Sequence, residues 1–345
     1  MSEPGVYTVI DIGGTSLRIG RYETATGRLT AVDRFPTDGL AVHPDHTAVP
    51  LQHRVSRQLV DRARQAVREH GSCAVGIAFA GPVTTDGWAT AAPTIWGGGG
   101  PPVPVRALVE EQLRLPVVVV NDITAALWRY AEPSAGQVPF CLLTVSSGIG
   151  GKVYWNGEVL LDARGHGGEL GHWRCDLSPQ APLCDCGGRG HLGALASGRA
   201  MQRIARRTAR EDPAGFAASA LSGPAGSADG ITTYHLVEAV HADDAFATDI
   251  LRGGLRHLAR AVTSVFTSIG VTRYIVIGGF ALAVGERYAD MLTACLVEQG
   301  CFGLDTTQIR QMVSLGAADD DHGLLGIGRL LATRLPATSL AESAR

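Results

Sequence analysis

The hydrophobic pattern opens on strands. Val6–Ile12 is a short apolar run that carries an acid, Asp11, near its end, and Gly13-Gly14 after it reads as a hairpin turn. Strands over 16–22 and 29–35 continue the pattern, with Thr26-Gly27 as the next turn. Leu51, Val55, Leu59, Ala63 and Val67 then recur three to four apart, which predicts a helix over 49–70. A strand over 73–80, a short helix over 103–115 and a four-valine strand, Val117–Val120, expected to be buried on both faces, complete the first part. That strand runs into Asn121-Asp122 and a helix over 123–130.

The second part repeats the opening. Residues 140–145 and 151–161 read as strands, with Asn156-Gly157 as a hairpin turn. Residues 163–193 are loop-rich and hold most of the Cys, His and Gly clusters, and the Ala/Gly/Ser-rich stretch 211–230 reads as a flexible insertion. A long amphipathic helix over 244–269 is interrupted only by Gly253-Gly254. A buried strand over 273–277, a helix over 284–298 and a final helix over 321–335 follow, with a frayed tail at 336–345. Strands alternate with helices and an antiparallel hairpin opens each half, so the expected class is α/β with two similar halves. A cleft between two such halves is the natural place for a ligand.

Composition narrows the function classes. In 345 residues, 45% are hydrophobic and 18% charged, which is enough apolar mass for sizeable cores and excludes wholesale disorder. The net charge of −3 leaves no global footprint for nucleic acid or anionic membrane. No 18-residue apolar run exists, and the first residues lack a basic flank and an apolar core, so neither a membrane span nor a signal peptide is expected. Seven cysteines, an odd count with one Cys-x-Cys, suit a reducing cytoplasm and a metal better than disulfides. Lys152, the single lysine in an arginine-rich chain, reads as codon bias.

Three strand ends carry glycines and hydroxyls. Asp11, Gly13, Gly14 and Thr15 form the first, where close backbone approach and exposed N–H groups suit phosphate and the carboxylate suits Mg²⁺. Ser147, Gly148 and Gly150 follow the second half's first strand, and Gly278-Gly279 ends a third. Each alone is an ordinary turn. Neither a P-loop nor G-x-G-x-x-G is present, and three such ends spread over both halves point to a nucleotide lying across a cleft.

Asp11-Ile-Gly-Gly-Thr15, Asn121-Asp122, Ser147-Gly-Ile-Gly-Gly151, Glu169-Leu-Gly-His172 and Cys184-Asp-Cys-Gly-Gly-Arg-Gly190 stand in the order seen in ROK proteins. The chain resembles that family from about residue 6 to 335. The resemblance implies the actin-like, hexokinase-like two-domain fold, with an N-terminal lobe of about 1–121 completed by a C-terminal helix at 315–335, and a larger lobe at 122–314. It implies ATP with Mg²⁺, Asp122 as the general base, and sugar contacts from Asn121, Glu169 and His172. Without it, Asn-Asp at a strand–helix junction would be read as an N-cap.

Two departures from the family pattern matter. His191 replaces a cysteine of the usual zinc motif, so His172, Cys184, Cys186 and His191 are the expected Zn²⁺ ligands, with Cys175 as a substitute. A metal-free loop is the alternative. The family's glutamate after that motif, a contact near the sugar's anomeric hydroxyl, is Gly193 here. The segment after the Gly-Pro-Val loop reads Pro93-Thr94-Ile95-Trp96, where Thr94 is short and Trp96 offers a stacking face. A missing hydroxyl-binding carboxylate points to an acceptor that lacks or hides an anomeric hydroxyl, such as a C7-cyclitol or an aminosugar.

The expected activity is therefore ATP-dependent phosphorylation of the exocyclic primary hydroxyl of a hexose-like polyol. The alternatives are an ordinary glucokinase, or a non-catalytic sugar-binding or regulatory member. Only ten residues precede Asp11, too few for the DNA-reading helices of the family's repressors. The expected partners are a small-molecule acceptor and a second copy of the chain, with the helix over 244–269 contributing to a homodimer.

Overall fold

The computed structural model describes residues 5–132 and 138–335. The tail expected to fray, 336–345, lies outside the described residues. The chain folds as two compact units. The first takes in the described residues up to 132 together with 161–167 and 319–335, and the second holds 138–160 and 168–318. The first unit therefore extends past the boundary expected at residue 121 and keeps Asp122 with the strand that precedes it.

In the first unit, β1 (Val6–Ile12), β2 (Ser16–Glu23), β3 (Arg28–Pro36), β4 (Ala74–Phe79) and β5 (Val117–Asn121) form one sheet in the order β3-β2-β1-β4-β5. β1, β4 and β5 run parallel, and β2 and β3 are antiparallel additions at one edge. The helix Ala48–His70 lays Leu51, Val55, Leu59 and Ala63 onto the sheet and ends at Gly71 in the left-handed region, φ 65°. Arg18 and Arg34 of β2 and β3 pair with Asp321 and Asp320, and Arg129 pairs with Asp319, which fastens the entry to the last helix, His322–Arg334, onto this unit. β5 differs from expectation. Val117 and Val119 are buried while Val118 and Val120 are half-buried, because the strand lies at the sheet edge.

In the second unit, β6 (Phe140–Val145), β7 (Ile149–Trp155), β8 (Glu158–Val159), β9 (Tyr274–Ile277) and β10 (Val313–Leu315) take the order β10-β9-β6-β7-β8. β6 and β7 make an antiparallel hairpin, while β6, β9 and β10 are parallel. The helix Ala245–Ile269 is continuous through Gly253-Gly254, contrary to the expected interruption. A Cβ at Gly254 would come within 2.5 Å of Met201 Cε, so this glycine serves close helix packing. The helix expected over 284–298 is present as Glu286–Gln299, and a further short helix, Gly279–Val284, precedes it.

The stretch 211–230 is ordered and is no flexible insertion. It forms a helix at Pro213–Ala218 capped by Asp212, a second at Ser222–Ala225, and a 3₁₀ turn at Ala228–Gly230 capped by Ser227, anchored by Leu221, which is fully buried. Its small residues reflect short, tightly turned helices, and composition alone hides the anchor. Among the described residues no helix is long and apolar enough to cross a membrane.

Candidate active site

The first unit concentrates carboxylates at strand ends. The β1–β2 turn is closed by Gly13 N–H donating to Ser16 O at 2.9 Å, and Thr37 Oγ1 donates to Gly13 O at 2.7 Å. A Cβ at Gly14 would lie 2.5 Å from Thr94 O, so only glycine lets the exposed Thr94 segment approach the turn. Asp11 stands opposite Arg18 in the β1–β2 register. Burial pushes its carboxyl up to about 6, against the pull of the Arg18 guanidinium.

Asn121 closes β5 and caps the helix Asp122–Trp128, its Oδ1 accepting from Ile123 N at 3.0 Å and Thr124 N at 3.2 Å. Its Nδ2 donates to Gly81 O at 3.0 Å and to Asp122 Oδ1 at 2.7 Å. The cap that sequence offered as the plain alternative is thus real, and it belongs to Asn121. The same side chain orients Asp122, whose Oδ1 also accepts from Ile123 N at 3.0 Å. Burial first, and the charge of Asp11 second, push the Asp122 carboxyl up to about 7, although these hydrogen bonds pull it down. A carboxylate that changes state near neutrality is suited to accept a proton from an alcohol.

Trp96 does not provide a stacking face. It is 2% exposed and packs on Phe79 at 5.4 Å between ring centroids, inside the first core. A short helix, Pro93–Trp96, turns Thr94 outward and Trp96 inward.

The second unit presents glycines and hydroxyls at the matching places. Ser147 and Gly148 are exposed at the β6–β7 turn, closed by Ser146 N–H donating to Gly148 O at 2.9 Å. Gly278 has φ 100°, and a Cβ there would come within 2.7 Å of the Val145 backbone, so β9 can end against β6 only through glycine. Gly150 is not at the turn: it is buried within β7 opposite Thr144, where it makes strand pairing.

A cavity of about 600 Å³ opens beside this turn, lined by Ser147 and Gly279 from the expected set. Its other wall comes from Arg199 and Gln202 on the helix Gly198–Glu211 and from Tyr234, Glu238 and His241 on the helix Thr233–His241. Sequence reasoning missed this wall. The signals present were Ser197, which caps Ala200 N, and Thr232, which caps His235 N.

Glu169 and His172 border a three-residue 3₁₀ turn, Leu170–His172. Gly168, at φ 68°, and Gly171 press this loop onto β7, since Cβ atoms there would lie 2.3 Å from Gly151 O and 2.0 Å from Ile149 O. Gly193 sits on the short helix Leu192–Ala196, where a Cβ would be 3.2 Å from Gly171 O.

The structure gathers His172, Cys184, Cys186 and His191 with all four ligand atoms within 4.8 Å of one another. Cys184 Sγ lies 3.9 Å from His172 Nδ1, and Cys186 Sγ lies 3.2 Å from His191 Nδ1. Ligand atoms of a tetrahedral Cys₂His₂ zinc are roughly 3.3–3.8 Å apart; the donor set suits that ion, and small side-chain shifts would bring the four atoms to that spacing. Cys175 is outside the group. Its thiol donates to Trp173 O at 3.4 Å, and burial pushes it up to about 11.

Comparison with known proteins bears on these features together. The profile of the ROK family matches residues 7–334. A C(7)-cyclitol 7-kinase of Streptomyces hygroscopicus subsp. limoneus is 48% identical over 97% of this chain and 96% of its own length. A 2-epi-5-epi-valiolone 7-kinase of an Actinoplanes strain is 35% identical, over 61% of this chain and 60% of its own length. Among solved structures, a ROK family glucokinase from Streptomyces griseus in complex with glucose and AMPPNP is similar with a TM-score of 0.72 and 28% identity. The match covers 94% of this chain and 99% of that one.

Proposed function

The chain belongs to the ROK family and is one of its ATP-dependent kinases of sugars and cyclitols; from that premise we propose the acceptor and the residues that serve it. The acceptor is a C7-cyclitol, phosphorylated on its exocyclic primary hydroxyl. Asp122 is the general base. The observation that carries this reading is its carboxyl, oriented by Asn121 and Ile123 N–H and pushed up to about 7.

Phosphoryl transfer leaves the protein chiefly positioning and charge neutralisation to supply. As the hydroxyl attacks, its proton passes to Asp122, so the nucleophile gains charge only as the transition state forms. Asp11 suits Mg²⁺, directly or through water, and that ion would neutralise phosphate charge. Gly13, Gly14 and Thr15 in the first unit and Ser147, Gly148, Gly278 and Gly279 in the second serve the phosphates. The 600 Å³ cavity takes the nucleoside. Asn121, Glu169, His172 and Thr94 serve the acceptor. Asn121 is a positioning group first, because both its amide donors and its oxygen are engaged within the first unit.

His172, Cys184, Cys186 and His191 would hold a structural zinc, which would order the loop bearing Glu169. His172 faces Cys184 through Nδ1, which leaves Nε2 for an acceptor hydroxyl. Gly193 supports the cyclitol reading. A carbocycle has no anomeric hydroxyl, and a glutamate retained there would be left without its partner. We place the enzyme in the cytoplasm as a homodimer.

The test is ADP release with Mg-ATP across C7-cyclitols, glucose, mannose and aminosugars, with Asp122→Asn alongside. Turnover on a cyclitol, lost in the variant, is expected. Strong turnover on glucose alone would overturn the acceptor assignment, and acceptor binding without turnover on any compound would overturn the kinase.

A further inference from the structure

Lys152 is the chain's single lysine; every other strongly basic residue is an arginine. It sits in the middle of β7, opposite the fully buried Leu142 of β6, and its side chain is 3% exposed. An ammonium removed from water is costly unless a partner offsets the loss. Its Nζ donates to Glu169 Oε1 at 2.7 Å, and the Glu169 side chain is 58% exposed.

The pair is therefore lopsided: the cation is enclosed and the anion faces out. A pair serving stability alone gains little from burying one charge while leaving the other wet. A pair that aims a carboxylate has to look this way. The ammonium grips one oxygen from beneath, and the other is left to accept from a hydroxyl arriving from solvent.

The backbone around it is fixed by the same strand. Gly168 and Gly171 press the loop onto β7 at Gly151 and Ile149, and a Cβ at Gly151 would come within 2.8 Å of Leu170. With the Glu169 backbone clamped, its side-chain torsions are the remaining freedom, and Lys152 removes them. A slim four-carbon stem reaches through the sheet face to do this, whereas the wider guanidinium fork of arginine has five donors to satisfy.

We propose that Lys152 is a positioning residue for acceptor recognition, locking Glu169 as a hydrogen-bond acceptor toward vicinal hydroxyls of a polyol. This rests on the reading that Glu169 contacts the acceptor, and the experiment separates the two. Steady-state kinetics of Lys152→Met, Glu169→Gln and the double variant would be measured with acceptor and nucleotide varied independently. Lys152→Gln would be run beside them, so that poor folding of the methionine variant does not decide the outcome.

The expected result is a rise in acceptor KM of roughly tenfold in each single variant, with nucleotide KM unchanged and no further rise in the double. If Glu169→Gln raises acceptor KM while both lysine variants keep the wild-type value, the inference is overturned and the Glu169 reading stands. Multiplicative effects in the double variant, or nucleotide and acceptor KM rising together, would make Lys152 a merely structural residue. Acceptor KM unmoved by Glu169→Gln would remove the Glu169 reading and the inference with it.

Discussion

The two units use one topology for opposite chemistry. In the first, β1 is flanked by β2 and β4, with β3 and β5 outermost; in the second, β6 is flanked by β7 and β9, with β8 and β10 outermost. Each begins with an antiparallel hairpin and continues with parallel strands. At the register position one pair before the turn, the first unit has Asp11 opposite Arg18, and the second has Thr144 opposite Gly150. The strand end that carries Asp122 in the first unit has no acid at its counterpart, Leu315-Gly316. The same frame thus holds two desolvated carboxylates in one unit and hydroxyls with bare backbone in the other. Topology supplies equivalent strand ends in each unit, and the residues placed there decide whether they present desolvated carboxylates or exposed hydroxyls and glycines.

Removing a carboxylate breaks this contrast most severely. Asp122→Asn is expected to lower kcat by about 10²–10⁴-fold while nucleotide affinity stays within a few-fold, measured by coupled ADP release and nucleotide titration. In its proposed role the same group would set the pH dependence. With its pKa at about 7, the fraction of Asp122 able to accept a proton falls about tenfold per pH unit below that value. Acceptor kcat/KM should therefore fall steeply as pH drops from 8 to 5.5.

Stability runs the other way. A carboxyl whose folded pKa is raised contributes stability that is full below its unfolded value and lost as pH rises through about 7. Asp122→Asn cannot ionise, so it should melt higher than wild type at pH 8, with the gap narrowing as pH falls from about 7 toward the unfolded carboxyl value of about 4, in paired thermal melts. An activity loss accompanied by a lower melting point at pH 8 would mean that Asp122 holds the fold and does not strain it.

The matching break in the second unit is Gly278→Ala, which sets a Cβ against the Val145 backbone at a positive φ. It should cost about 2–4 kcal/mol in denaturant unfolding and raise nucleotide KM. Chelation of a bound metal, or His191→Ala, is expected to lower the melting temperature and raise acceptor KM by about tenfold, with nucleotide KM less affected. A metal assay showing no zinc in the wild type would remove this expectation. The smallest effect is Gly193→Glu, where a 3.2 Å approach to Gly171 O asks for a slight backbone shift. It should move the cyclitol-to-glucose ratio of kcat/KM toward glucose by a few-fold.

The strand ends were legible because buried strands, glycine turns and caps are local: apolar runs mark β1, β4, β6 and β9, and Gly13-Gly14 or Gly278-Gly279 punctuate them. The Cys/His cluster was legible because Cys184, Cys186 and His191 lie close in sequence and His172 shares a motif with Glu169. Trp96 was misread because an aromatic after a glycine-proline loop looks the same whether it faces a ligand or a core. The stretch 211–230 was misread because small residues suggest flexibility until Leu221 is seen at the centre of a packed cluster.

Local order, strand ends with their glycines, the Cys-x-Cys loop and the presence of one lysine were thus determined by the sequence alone, since each depends on residues within a few positions. Which groups lose their water was decided only by the tertiary structure. Desolvation lifts Asp122 to about 7 and encloses Lys152 beneath Glu169. It also builds the cavity wall from helices far from the turn they face. Burial is a property of everything packed around a group, and residues distant in sequence supply it.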